Sequence, residues 1–316
     1  MRFLDRLQDA TVVRSFDRSG FLRHSRRFDP ADLEERLEGR ICLVTGANSG
    51  IGKATAEGLA ARGAEVWLLC RNRERADTAR AELTQKTGNR NIKVQIVDMS
   101  SLESVRKACS ELPVNSIDVL VHNAGVLPSE MVRTGDGLEL TYATNVAGPF
   151  LMTKLLLDRL EKPAGSRLIW VSSGGMLPVR LDCGQLRDPS KPFNGVTAYA
   201  QTKRAQCVLS ELLAERLSGR GVTVSSMHPG WADTAAVQSS IPRFHKATKS
   251  ILRSPAQGAD TVVWLAVSEK ASGQSGLFWF DREKAKTHIV PWTRERKADR
   301  KALWDLLEAD TGAPTL

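Results

Sequence analysis

The chain has 316 residues, 41% hydrophobic and 26% charged, enough to bury the core of one large α/β domain. No apolar run reaches the roughly eighteen residues of a membrane span, the N-terminus lacks the apolar segment of a secretory signal, and the five cysteines are scattered without a C-x-x-C pair, so a cytoplasmic protein with reduced thiols and no metal site is expected. The formal charge of +9 points to anionic partners, but much of the excess lies in Arg14 to Arg27 and Arg294 to Lys301 without the interleaved aromatics of a nucleic-acid surface, so nucleic acid is not expected.

Residues 1–39 read as an arm before the first strand. Phe3, Leu7, Ala10 and Val13 recur at helical spacing, and Asp29-Pro30 reads as an N-cap and first-position proline opening a helix over Ala31 to Leu37. Such an arm packs on its own domain or on a second subunit of a homo-oligomer. Its mixed apolar and basic residues also allow peripheral contact with a membrane surface. Residues 40–316 read as one domain.

Ile41 to Val44 has the pattern of a buried strand, and Lys53 to Arg62 that of a helix. Between them lies Thr45-Gly46-Ala47-Asn48-Ser49-Gly50-Ile51-Gly52. Gly46 can take the tight turn leaving the strand, Gly50 lets backbone approach a pyrophosphate, and Gly52 lets the helix pack close to the sheet. The helix N-terminus offers free N–H groups and partial positive charge to phosphates. This T-G-x-x-x-G-x-G spacing resembles the cofactor turn of the short-chain dehydrogenase/reductase family, and the resemblance runs from about Arg40 to Phe280. It implies a Rossmann-like fold: a doubly wound, seven-stranded parallel sheet with helices on both faces.

Strand Glu65 to Cys70 ends in Cys70-Arg71-Asn72-Arg73, with no acid where most NAD-binding folds hold the ribose hydroxyls. A carboxylate would repel a 2′-phosphate and a guanidinium can grip it, so NADP(H) is expected over NAD(H), with Arg71 the main contact and Asn48 and Arg73 assisting. A helix over Glu74 to Lys86 leads to strand Ile92 to Val97 and to Asp98-Met99. The resemblance implies that Asp98 accepts from the adenine amino group; it could also cap the helix starting near Ser101.

Strand Ile117 to His122 runs into Asn123-Ala124-Gly125, which resembles the family's N-A-G turn lying against the cofactor, while His122 reads as a packed strand-end residue. A helix pattern from Leu138 to Leu160 contains Asn145, an unfavourable helix residue. By the resemblance, Asn145 distorts that helix and holds a water that bonds the active-site lysine. Strand Arg167 to Val171 ends in Ser172-Ser173-Gly174-Gly175, and an irregular stretch, Met176 to Thr197, follows. Tyr199-Ala200-Gln201-Thr202-Lys203 then opens a helix to about Leu217, placing Tyr199 and Lys203 on one face.

Strand Val222 to Met227 gives His228-Pro229-Gly230-Trp231-Ala232-Asp233-Thr234, in which Pro229, Gly230 and Thr234 resemble the family's segment holding the nicotinamide carboxamide. Ala235 to Arg253 reads as a lid, Ser254-Pro255 starts a helix to Val267, Leu277 to Phe280 is a last strand and Lys297 to Leu307 a last helix. The expected chemistry is hydride transfer between nicotinamide and an alcohol or carbonyl. Lys203 would lower the Tyr199 pKa so that the phenol exchanges a proton with substrate. Ser173, the second of its pair as in the family, would donate to the developing alkoxide. Met176, Leu177, Val179, Leu181 and Trp231 suggest an apolar wall and a lipophilic substrate, in keeping with a likeness to the retinol-dehydrogenase-like branch. The alternative is a non-catalytic NADP(H)-binding protein that serves a regulatory or partner-binding role.

Overall fold

The computed structural model describes residues 12–233, 245–246 and 248–315. Its centre is one sheet of β1 (Ile41–Thr45), β2 (Glu65–Cys70), β3 (Ile92–Ile96), β4 (Val119–His122), β5 (Ser166–Val171), β6 (Val222–His228), β7 (Leu277–Phe280) and β8 (Glu283–Lys284). The strand order is β3-β2-β1-β4-β5-β6-β7-β8. The first seven run parallel and β8 pairs antiparallel with β7, so the sheet has one strand more than expected. Asp281 and Arg282 form the connecting turn with φ of 48° and 61°, the left-handed pair whose twist suits a two-residue hairpin.

Both faces of the sheet are covered, which is why its strands read as near-continuous apolar runs. Successive side chains point to opposite faces. Leu43 enters the core beneath α3 (Leu102–Glu111), α4 (Gly148–Leu160), α5 (Gly195–Arg216) and α7 (Lys297–Thr311). Cys42 and Val44 enter the core beneath α1 (Gly50–Ala60), α2 (Arg73–Thr87) and α6 (Pro255–Val267). Four of these helices begin at a side chain that accepts a backbone N–H: Asn72, Ser101, Asn194 and Ser254.

Three expected helices are altered. The pattern over Leu138 to Leu160 is broken by a π-turn at Ala143–Ala147. Pro149 has no N–H to give the Asn145 carbonyl, and a Cβ on Gly148 would lie 2.1 Å from the Met99 carbonyl oxygen, so this segment is both unlatched and pressed against its neighbour. α5 starts at Gly195, four residues before Tyr199, because Asn194 caps Thr197 N–H. In the arm, Asp29 and Pro30 start only a 3₁₀ turn, Pro30–Leu33; Leu37 N–H bonds the Arg62 carbonyl instead of continuing a helix. Phe3, Leu7 and Ala10 lie outside the described residues. Among the described residues, no helix is long and apolar enough to cross a membrane.

Candidate active site

The glycine turn leaves β1 at its carboxyl end. Gly46 and Gly50 have φ of 67° and 54°, backbone that side chains rarely adopt. Thr45 ties the turn to the strand beside it: its Oγ1 accepts from the N–H groups of Asn123 and Ala124 at 2.9 and 3.0 Å. Asn123 Nδ2 donates to the Thr45 carbonyl at 2.9 Å. A Cβ on Gly52 would sit 2.4 Å from both Asn123 Nδ2 and the Gly46 carbonyl oxygen, so close packing requires glycine there. Ser49 makes no side-chain cap, which leaves the first N–H groups of α1 to a ligand. Ile51 turns toward α6, 3.1 Å from where a Cβ on Gly258 would lie. These features fit a pyrophosphate.

Arg71 stands at the carboxyl end of β2 with its side chain 71% exposed and 3.9 Å from Asp98. Asp98 does not cap α3, a role taken by Ser101; it accepts from Ser100 N–H and Oγ at 2.9 and 2.7 Å. Met99 is buried. Asn48 is half-buried, and the N–H groups of Asn48 and Ala47 face the Cys70 thiol.

The end of β5, the first turns of α5 and the π-turn bring Ser173, Tyr199 with Lys203, and Asn145 together. The Ser173 hydroxyl lies close enough to the Tyr199 phenol to favour its ionised form. Burial pushes the Tyr199 phenol up to about 12, and the Ser173 hydroxyl works the other way. Lys203 is buried with its Nζ 5.3 Å from the centre of the Tyr199 ring. Burial pushes the Lys203 ammonium down to about 7. Its Nζ donates to the Val171 carbonyl at 2.8 Å and to Gln206 Oε1 at 3.1 Å. Asn145 Oδ1 accepts from Val126 N–H at 2.9 Å and its Nδ2 donates to Thr202 Oγ1 at 3.0 Å, fixing the π-turn against the loop after Gly125. On that loop, a Cβ on Gly125 would lie 3.4 Å from Asn145 Oδ1 and 3.6 Å from Lys203 Nζ. His122 is a packed residue, as expected: it bonds Thr153 Oγ1 at 2.7 Å, and burial lowers it to about 3.

Pro229 and Gly230 follow β6, Gly230 with φ of 74°. Thr234 lies outside the described residues, as does most of the expected lid. Arg253, read as the lid's end, is buried instead and clamped by Asp281. Met176 and Leu181, expected in a substrate wall, are core residues, whereas Leu177, Val179 and Trp231 are only half-buried.

Three residues near the site escaped the sequence reading. Gln206 follows Lys203 by one turn. Arg204 donates to the Val179, Met176 and Thr287 carbonyls at 2.9, 2.9 and 2.6 Å, holding the stretch after Ser173. From the arm, Phe16 meets His228 and Trp231 with ring centres 4.2 and 6.3 Å apart, and its edge would lie 2.6 Å from a Cβ on Gly174. Only the 3,4 spacing after Tyr199 foreshadowed Gln206; nothing in the arm's sequence announced Phe16.

A glycine turn, an N-A-G turn and a Ser–Tyr–Lys cluster on the carboxyl edge of a doubly wound sheet define an oxidoreductase built around a nicotinamide dinucleotide. Residues 40–243 match the short chain dehydrogenase family, and the chain belongs to it. It is 43% identical over 302 residues to dehydrogenase/reductase SDR family member 12 of Bos taurus, covering 95% of each chain. To retinol dehydrogenase 13 of Homo sapiens it is 34% identical over 280 residues, covering 85% of this chain and 83% of that one. A solved, uncharacterised protein of Mycobacterium paratuberculosis aligns with TM-score 0.71 at 27% identity, over 89% of this chain and 97% of the other. A short chain dehydrogenase of Escherichia coli CFT073, complexed with NADPH, aligns with TM-score 0.64 at 25% identity, over 79% and 99%.

Proposed function

We propose that the protein is an NADP(H)-dependent dehydrogenase/reductase acting on a lipophilic alcohol or carbonyl. The observation that carries this reading is the Tyr199 phenol with the Ser173 hydroxyl and the Lys203 ammonium beside it. Tyr199, when ionised, accepts the alcohol proton at Oη; when neutral, it gives a proton to a carbonyl oxygen. Ser173 Oγ donates to that same oxygen as charge develops there. Lys203, as the cation, favours tyrosinate. Bound nicotinamide supplies or takes the hydride.

The turn from Thr45 to Gly52 would hold the pyrophosphate, with Asp98 and Met99 on the adenine side. Asn123, Ala124 and Gly125 would line the far wall, and Pro229, Gly230 and Thr234 would hold the carboxamide. Preference for NADP(H) is supported by Arg71 at the end of β2, a strand end that itself carries no acid, and by the E. coli relative's NADPH. A lipophilic substrate is supported by the retinol dehydrogenase relatives and by the half-buried apolar side chains of Leu177, Val179 and Trp231.

The test is turnover of retinoid and other lipophilic carbonyls with NADPH, and of the matching alcohols with NADP⁺. Failure across the panel with cofactor bound would favour a non-catalytic dinucleotide-binding role. In Arg71→Ala, losing one charged phosphate contact should raise KM for NADPH by about ten- to a hundredfold and leave that for NADH nearly unchanged. Equal effects on both cofactors would remove Arg71 from the 2′-phosphate.

A further inference from the structure

The geometry points to Gln206 as a positioning residue that bridges the Lys203 ammonium directly to the backbone of the π-turn. This rests on the reading of Tyr199 and Lys203 above. Gln206 is fully buried. Its Nε2 donates to the Asn145 carbonyl at 2.7 Å and its Oε1 accepts from Lys203 Nζ at 3.1 Å. The amide's orientation is set by its neighbours: a flipped amide would aim NH₂ at an ammonium and oxygen at a carbonyl.

The sequence prepares this link from both sides. Pro149, four residues after Asn145, cannot give that carbonyl the N–H an α-helix would supply, so the oxygen is left for another donor. Gln206, three residues after Lys203, lies on the same face of α5. The resemblance implies a water between Asn145 and the lysine; here a side-chain amide spans the same two groups. A water can hand on a proton, whereas an ordinary primary amide only holds its two bonds. Gln206 therefore fixes Lys203 rather than feeding protons to it.

The bond also supports the charge. Lys203 has three N–H donors. Val171 and Gln206 engage two, leaving the third for the side of Gly125 and Tyr199. On α5 the titratable neighbours are Tyr199 and Cys207, whose thiol burial raises to about 11 and so keeps neutral. β5 presents the Val171 carbonyl and the π-turn presents Asn145, neither titratable. With no carboxylate acting on it among the described residues, Lys203 relies on two neutral oxygens to stay charged after burial.

The experiment compares wild type with Gln206→Met and Gln206→Leu, apolar replacements of similar size that make neither bond. In cofactor-free protein labelled with ε-¹³C lysine, the Lys203 resonance, assigned by its loss in Lys203→Met, should titrate about one pH unit lower in the variants than in wild type. In alcohol oxidation, the acid limb of kcat should move up by about one pH unit, because a less charged lysine stabilises tyrosinate less. Substrate KM should stay within about twofold, since Gln206 reaches the substrate only through Lys203. A wild-type Lys203 midpoint in either folded variant, or a fall in kcat with the limb unmoved, would overturn the assignment. The titration needs no turnover, so it decides on Gln206 even if wild type proves inactive on every alcohol and the functional reading itself fails.

Discussion

Tyr199→Phe is expected to lower kcat by about a hundred- to ten-thousandfold, the usual worth of a placed acid–base group. The ring that Lys203 faces at 5.3 Å is kept, and only the hydroxyl beside Ser173 is lost. One neutral hydrogen bond at a half-buried site is worth about 1 kcal/mol, so the melting temperature should hardly move. Fluorescence quenching by NADPH should show near-normal binding, because the turn at Gly46 to Gly52 is untouched. The contrast between intact binding and lost turnover separates an acid–base role from a packing one. Retention of kcat within about threefold would remove Tyr199 from the chemistry, and with it the oxidoreductase mechanism on this cluster. Tyr142 is no substitute, since it is fully buried and bonded to Asp310 at 3.0 Å.

The pH response of this cluster has a definite sign. Burial lowers Lys203 to about 7, below its unfolded value of 10.5, so keeping it buried costs stability wherever the unfolded lysine is charged. That cost grows as pH falls from 10.5 toward 7 and is constant below, while the charged fraction that helps Tyr199 grows over the same range. The site thus trades some stability for a cation beside the phenol, and the Val171 and Gln206 oxygens limit that cost.

Much of this was legible in the chain. β2, β7 and the end of α6 fall where the apolar runs place them, because buried parallel strands and a Ser-Pro helix start carry local signals. The glycine turn was equally plain, since positive φ and close approach select glycine directly. What stayed hidden depends on partners distant in sequence. β8 is two residues long and its Asp-Arg turn lacks the usual glycine. Met176 and Leu181 had the composition of a substrate wall, and only the fold could show that Cys207 and Phe278 pack against Met176. Arg253 sits in a polar stretch that reads as loop, and its partner Asp281 is 28 residues away.

Arg253→Met is expected to have the largest effect on stability. The guanidinium grips Asp281 through two bonds of 2.6 and 2.8 Å, with both side chains nearly inaccessible. It also donates to the Ser15 and Asp17 carbonyls at 2.9 and 3.1 Å, tying the arm to the sheet's carboxyl edge. Burial would raise the Asp281 carboxyl, but bonds from His24 and Arg253 outweigh it and hold it below its usual 3.8. Stability from this network is therefore complete at neutral pH and lost on acidification. Removing the guanidinium leaves a buried carboxylate with His24 alone, a loss of about 3–5 kcal/mol and about 6–15 °C in melting temperature. Arg253→Met combined with Asp281→Asn should recover a large part, since the stranded charge is gone and asparagine tolerates the positive φ at that turn. Function should follow the arm. Phe16 lies against Gly174, next to Ser173, and its carbonyl accepts from Trp231 N–H at 2.8 Å. An arm released at Ser15 and Asp17 should open the substrate side and raise KM more than it lowers kcat, and proteolysis near Arg14 to Arg18 should quicken. Were the double variant no more stable than the single one, the cost would lie in lost packing around Phe21 and Phe280 rather than in the charge.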